Sequence, residues 1–431
     1  MMLVAHPLGN ACVRALLAGL RARGLLARYV TTLGFHQDDR WIEGLPGRIR
    51  RQLERRRYDL PGELMRRRPW RELTRLAAGG MGVRRLTAHE TGWASTDAVF
   101  RDLDRTAAGQ LERERGVRGV YAYEDGAHAL FAAAARRGLP RCYELPMGYW
   151  REAQRIFHEE AEQQPEWAAT LDGLQDSAEK LARKDEELAL ASQVVVASEF
   201  SRRSLLAYPR SLDARVAVVP HGAPAPVAEA ELKERLHRRP AGALRGLFVG
   251  GLTQRKGLSY LFEAMRLVGG GASLTVVGRR GAGAECAALQ RALDRHRHIP
   301  SMAPNDLFAL MRQHDVLLLP SLFEGFGLVL GEAMAQGLPV IATPHTAAPD
   351  LLSQWPGGLV VPIRSAAAMA AAMDALRREP ARREEMALAA RRIAERLSWK
   401  NCAAELGGVA VATLARAADP TTLQHLAPDA L

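Results

Sequence analysis

The hydrophobic pattern of the chain runs through one series of alternating elements and then starts again. It opens on an apolar run, Met2-Leu3-Val4-Ala5, then a turn over Pro7 to Asn10, then helical periodicity from Val13 to Arg23 that stops at Gly24. Tyr29 to Thr32 reads as a second strand. Strand, helix and strand joined at this length form a right-handed crossover, which implies a parallel sheet. The alternation resumes with a strand over Val117 to Tyr123, a helix over Ala127 to Arg137 and a strand over Arg141 to Leu145. Arg151 to Ala191 is long, polar and helix-favouring, the pattern of helix that packs one face and solvates the other. Val194 to Ala197 is a buried strand, Ser198 a cap for a helix over Glu199 to Tyr208, and Val216 to Val219 the last strand, closed by Pro220-His221-Gly222.

The second half repeats the scheme. Strands are expected at Gly246–Val249, Ser273–Val277, Val316–Leu319, Leu338–Ala342 and Leu359–Val361. Helices are expected at Ser259–Val268, Ala284–Arg295, Asp306–Gln313 and Leu328–Ala335, followed by alanine-rich helices. Two such series imply an α/β protein of two doubly wound, Rossmann-like domains facing across a cleft. The expected division is 1–222, a linker at 223–243 rich in proline, alanine and charge, 244–396, and a helical segment at 397–431. A length of 431 residues agrees with two cores.

Composition narrows the class. The chain is 48% hydrophobic and 25% charged, the balance of a soluble globular protein, and no apolar run approaches a membrane span. Four scattered cysteines, without a C-x-x-C pair, fit a reduced cytoplasmic location better than a disulfide framework. The net charge of +11 is concentrated: Gly47 to Arg75 holds eleven arginines against four acids. Apolar residues recur among them at roughly helical spacing. The stretch therefore reads either as a solvated face or as a basic amphipathic element on an anionic membrane, which would make the protein peripheral at the inner membrane surface. Nucleic acid is not expected as a partner, since no aromatic platform or reading motif accompanies the arginines.

The most informative stretch is Glu324-Gly325-Phe326-Gly327-Leu328, which leaves a buried strand and enters a helix that carries Glu332. Glycines let the backbone approach a ligand, and free amides at a helix start favour phosphate or a hydroxyl. A carboxylate would repel phosphate, so Glu332 is assigned to a ribose and Glu324 to sugar hydroxyls. A second element, Gly250-Gly251-Leu-Thr-Gln-Arg255-Lys256-Gly257, sets two cations just after a strand, where they can hold a diphosphate and stabilise its charge as it leaves.

Together these residues resemble the family-4, group 1 glycosyltransferases, retaining enzymes of the two-domain GT-B fold. The resemblance rests on Glu324-x7-Glu332 and on Arg255-Lys256-Gly257, with support from Val277-Gly278, Pro320-Ser321, Gly337-Leu-Pro-Val340 and Val218-Val-Pro-His-Gly222. It is specific over residues 245–365 and looser over 1–222. One departure is Gly251, where many relatives carry arginine. The resemblance implies a nucleotide-sugar donor, a glycan or lipid-linked acceptor, retention, a role in cell-surface polysaccharide or glycoconjugate synthesis, and no metal or other cofactor. It also implies that the segment at 397–431 crosses back to the first domain. Arg255, Lys256 and Glu324 become the catalytic candidates of the second domain. Gly9, Gly251, Gly325, Phe326, Gly327, Leu328 and Glu332 complete the donor site. From the first domain, Asp125 is the leading catalytic candidate, with Glu124, Asn10, Tyr149 and Trp150 as acceptor contacts. His221 reads as structural. The rival readings are a GT-B epimerase and a binding or scaffold protein that keeps the fold without turnover.

Overall fold

A computed structural model describes residues 1–45, 47–238, 242–281 and 285–418, apart from the side chains of Arg48, Ile49, Arg51 and Gln52. Parts of three expected segments thus lie outside the described residues: 239–241 of the linker, Ala284 of a helix, and 419–431 of the C-terminal segment.

The first domain is built on a seven-stranded, fully parallel sheet. Its strands are β1 (Met2–Ala5), β2 (Leu26–Thr31), β3 (Met65–Arg67), β4 (Gly119–Tyr123), β5 (Arg141–Leu145), β6 (Gln193–Val196) and β7 (Arg215–Val218). They lie in the order β3-β2-β1-β4-β5-β6-β7. The second domain carries β8 (Leu244–Val249), β9 (Ala272–Val277), β10 (Arg297–Ile299), β11 (Val316–Leu319), β12 (Val340–Ala342) and β13 (Gly358–Val360), in the order β10-β9-β8-β11-β12-β13. All are parallel. In each sheet the order reverses beside the first strand, β1 or β8, and open sheets bind ligands outside the carboxyl ends at such a point. β11, Val-Leu-Leu-Leu, is buried on both faces, as a central parallel strand should be.

The helices that matter for the site are α1 (Ala11–Arg21), α2 (Trp70–Met81), α3 (Trp150–Gln163), α4 (Ala178–Leu190), α5 (Glu229–His237), α6 (Leu328–Ala335), α7 (Pro380–Arg396) and α8 (Trp399–Ala418). Two expectations need correction. The polar stretch 151–191 is two helices, α3 and α4, separated by the segment that holds Pro165 and Gly173. The stretch 223–243 is not an open linker, because α5 forms within it and buries Leu232 and Leu236 against Ala387 of α7. Leu232 and Leu236 are an i, i+4 pair, the minimum apolar stripe a helix can dock with.

α8 returns to the first domain and packs along α1. Cys402, Leu406 and Ala410 join Met2, Leu16 and Tyr29 in one core. The helices approach closely because Gly19 and Gly407 face each other, and a Cβ on Gly19 would collide with the Ala403 carbonyl.

Candidate active site

β8 and β11 end side by side, and the two motifs begin there. After β8 the chain passes Gly250 and Gly251 into a 3-10 turn over Gln254–Lys256. Gly257 follows at φ 69°, where a Cβ would strike the Pro320 carbonyl, so glycine is required at this position. The turn carries both cations toward the loop after β11. Lys256 Nζ touches the Glu324 carboxylate, and Arg255 Nη1 lies 3.2 Å from the same oxygen. Arg255 also donates to the Phe323 carbonyl at 3.2 Å and reaches Asp172, from the first domain, at 3.1 Å. Lys256 is buried. Burial and then the charge of Arg255 push its ammonium down to about 7, while the Asp172 carboxylate works the other way. The touching Glu324 carboxylate acts in the same sense as Asp172.

Gly327, at φ 82°, turns the chain into α6. The first amides of a helix lack partners within it, so Leu328 and its neighbours offer donors at this point. The Phe326 ring is buried against His221, so Phe326 can offer a ligand only its backbone. Glu332 sits in the second turn of α6, part-buried, with burial raising its carboxyl above the usual range. Gly251 is exposed and a Cβ there would meet only the Thr253 methyl, at 4.0 Å, so a side chain at this position would be sterically tolerated.

The first domain closes on this loop at several points. Ser198 and Ser201 both donate to the Gly325 carbonyl, the latter at 3.1 Å. A Cβ on Gly325 would collide with the Pro146 carbonyl. Phe200 stacks on His345 and meets Phe323 edge-on. Deeper in the interface, the fully buried Glu160 of α3 accepts from Gln254 at 2.7 Å, Tyr260 at 3.2 Å and Arg364 at 2.8 Å.

The candidates of the first domain divide. Gly9 leaves no room for a side chain, since Tyr58 fills the space a Cβ would need. Asn10 caps α1, its side-chain oxygen accepting from the Val13 amide at 2.8 Å. The start of α1 nevertheless adjoins the donor loop: Cys12 Sγ lies 3.5 Å from His221, whose ring packs on Phe326 and Trp399. His221 is thus a packed joint between three elements, and burial pushes it down to about 4.

Glu124 and Trp150 line a cavity of about 230 Å³ between the domains, together with Asp172, Lys184, Arg255 and Phe323. Burial raises Glu124, opposed by Lys184 at 3.4 Å. Asp125 does not line it. Its backbone is held at φ 70°, a left-handed conformation that aspartate adopts more readily than most residues other than glycine. Glu187 accepts from the Asp125 amide at 2.9 Å and the Ala127 amide at 3.1 Å. The Asp125 carboxylate faces Lys180, Arg183 and Lys184 of α4 at 3.7 to 4.0 Å. Tyr149 is not an exposed platform: its ring packs on Tyr208, and its hydroxyl donates to Asp185.

Sequence reasoning missed Asp172, Glu160, Ser198 and Ser201 as site-shaping residues; all four cross between domains, and no local pattern reveals such a contact. Asp102 and Asp104 stand in an Asp-x-Asp spacing. Asp102 pairs with Arg68 at 3.0 Å, and Asp104 accepts from the Ala129 and Leu130 amides at 2.6 and 2.9 Å, so both carboxylates are committed.

Residues 243–379 match the family model described as Glycosyl transferases group 1. A D-inositol 3-phosphate glycosyltransferase of Arthrobacter sp. (strain FB24) is 32% identical over 176 residues, 38% of this chain and 42% of that protein. The chain thus matches less than half the length of this relative. Among solved structures, sucrose-phosphate synthase from Thermosynechococcus elongatus superposes with a TM-score of 0.65 at 19% identity, over 96% of this chain and 99% of that one. Anabaena Alr3699/HepE, solved in complex with UDP-glucose, gives a TM-score of 0.61 at 16% identity over 95% and 99%. At these identities the likeness is one of fold, the two-domain GT-B architecture.

Proposed function

We propose that this protein moves a sugar from a nucleotide-diphosphate donor to a hydroxyl of a glycan, lipid-linked or other acceptor, a reading supported by the match of residues 243–379 to the Glycosyl transferases group 1 model. The observation that carries the reading is the meeting of Lys256, Arg255 and Glu324 in front of α6, at the carboxyl ends of β8 and β11. Lys256, Arg255 and the first amides of α6 would take the charge of the departing diphosphate, so that no metal is needed in catalysis. The sugar would be transferred with retention, the leaving phosphate itself helping to deprotonate the attacking hydroxyl. Glu332 would hold the ribose and Glu324 the hydroxyls of the sugar. Glu124 and Trp150, on the cavity that Arg255 also lines, would meet the acceptor. A role in making cell-surface polysaccharide or glycoconjugate, in the cytoplasm, fits this reading. So does the complex of Alr3699/HepE with UDP-glucose, a protein of the same fold.

One Glu324 carboxylate oxygen contacts both Lys256 and Arg255, so a diphosphate has to compete with it for these cations. Thermal-shift measurements with UDP, GDP and ADP and their sugars will identify the base, since a ligand of the native state raises apparent stability. With that base, Glu332→Ala should weaken the bare nucleotide and the nucleotide sugar alike, by about tenfold or more. Glu324→Ala should leave the bare nucleotide as tight or tighter, and weaken only the sugar-bearing donor. Equal losses for both ligands in both variants would refute the division of roles. Sugar turnover with inversion, or none with any donor, would favour an inverting enzyme or a silent relative instead.

Affinity for the nucleotide should also depend on pH. Diphosphate favours the charged ammonium, so Lys256 binds it best when protonated. With the free lysine pushed down to about 7, affinity falls as pH rises above that value. The fall is up to about tenfold per pH unit and levels off above the higher value Lys256 takes in the complex. Isothermal titration between about pH 6 and 9 should record this slope, and Lys256→Arg should flatten it because arginine does not titrate there.

A further inference from the structure

The basic stretch folds differently from a simple amphipathic helix. Arg56 is buried with Glu72, Arg57 donates to the Asp39 carbonyl at 2.8 Å, and Arg50 pairs with Glu54 at 2.7 Å. Arg48 and Arg51 lie outside the described side chains. The unusual surface is α2. It is fixed to its domain through Glu72 and Ala78, its two buried residues, with Glu72 gripping Arg56 and Arg75. Trp70, Leu73, Ala77 and Met81 recur at intervals of three, four and four, which places them on one face of the helix. That face points to solvent: Trp70 is 66% exposed, Leu73 42% and Met81 71%. Val83 and Trp93 extend it, Trp93 being 51% exposed with Arg71 stacked 4.7 Å from its ring.

Cations frame this apolar face at both ends. Arg66 and Arg67 precede the helix, and Arg84 and Arg85 follow it, all exposed. Arg66, Arg84 and Arg85 form no ion pair among the described residues. Between residues 64 and 89 there are seven arginines and a single acid, the buried Glu72. A solvated face would carry polar residues where α2 carries tryptophan, leucine and methionine. Apolar side chains with an aromatic ring at the level of the arginines are instead what a headgroup layer over hydrocarbon receives. Arg68, Arg71 and Arg75 are paired with Asp102 or Glu72, but Arg66, Arg84 and Arg85 are left to attract anionic headgroups.

We propose that the exposed face of α2, with its flanking arginines, docks the protein on an anionic lipid bilayer. The docking face has a definite relation to the cleft. β3 is parallel to β2, so α2 leaves the sheet at the same carboxyl edge as the Gly9–Asn10 turn and the Glu124–Asp125 turn. The Trp70 end of the docking face therefore lies at the sheet edge from which Glu124 reaches the cavity. The docking does not depend on the sugar-transfer reading.

The full chain should float with vesicles of phosphatidylglycerol and phosphatidylcholine at low salt, float much less with phosphatidylcholine alone, and be released at high salt. Trp70→Ser with Met81→Ser, and separately Arg66→Gln with Arg84→Gln and Arg85→Gln, should each lower the bound fraction, on the order of tenfold in partition. Both variants should keep the wild-type melting temperature and nucleotide-induced thermal shift, since all five side chains are exposed. Failure of the wild-type protein to float with phosphatidylglycerol would overturn the proposal, as would flotation that neither variant alters. A concentration-dependent dimer lost in Trp70→Ser/Met81→Ser, without flotation, would reassign the face to self-association. Binding to an oligonucleotide but not to vesicles would reassign it to nucleic acid.

Discussion

Lys256→Gln is expected to lower turnover by about two to three orders of magnitude, the usual loss when a donor to a developing negative charge is removed from a dry site. Arg255 cannot compensate fully, because its guanidinium is shared with Asp172 and the Phe323 carbonyl. The folded protein should not suffer. Gln removes an ammonium that burial destabilises, and Glu324, which loses Lys256 as a partner, keeps Arg255 at 3.2 Å, so the net cost should be small. Steady-state kinetics with a saturating donor, beside a melting curve, separates the two effects. A tenfold loss or less would mean that the helix amides and Arg255 carry the charge without Lys256. A collapse of the melting temperature would mean that Lys256 is chiefly a structural partner of Glu324.

The second large effect concerns stability. Glu160→Ala removes a carboxylate that is fully buried between the domains and leaves Arg364 without its nearest inner partner. Breaking one side of a buried ion pair costs about 3–5 kcal/mol. Arg364 retains Glu159 at 3.0 Å and the Ile156 carbonyl at 3.0 Å, which favours the lower end of that range. Because α3 spans the interface, the loss should fall on the coupling of the domains. Calorimetry is expected to show a lower and broader transition, resolving toward two steps. A single transition at the wild-type temperature would show that Glu160 contributes nothing net. Glu160→Gln, which keeps an acceptor for Gln254 or Tyr260 but no charge for Arg364, should lie between the two.

Legibility differed between the domains for physical reasons. In the second domain the site residues lie in the turn after a strand or on the helix that follows it, and strand, glycine turn and helix start are local signals. The boundaries of β11 and α6 therefore match the pattern of Val316–Leu319 and Leu328–Ala335. The pairing of Arg255 and Lys256 with Glu324 was not legible, because it joins turns that are 68 residues or more apart in the chain. In the first domain the polar groups serve one another across elements. Asp125 looks like a site residue in sequence, yet it answers three cations on α4 and the carboxylate of Glu187. Tyr149 and Trp150 look alike in sequence, and only burial separates them: one ring packs in the core, while the other lines the cavity. Among the arginines, nothing local shows that Arg56 points inward or that α2 turns its apolar side outward.

The return of α8 has a consequence for how the protein is made. A nascent chain leaves the ribosome in order, and domains ordinarily fold as they emerge. Here α1 is synthesised before the helix that covers it, which follows almost four hundred residues later. Until then Leu16, Tyr29 and their neighbours lack the side chains of Cys402, Leu406 and Ala410. The first domain must wait, part-finished, while the whole of the second is translated. During that interval a chaperone, or a clamp on α1, would have the greatest influence on yield.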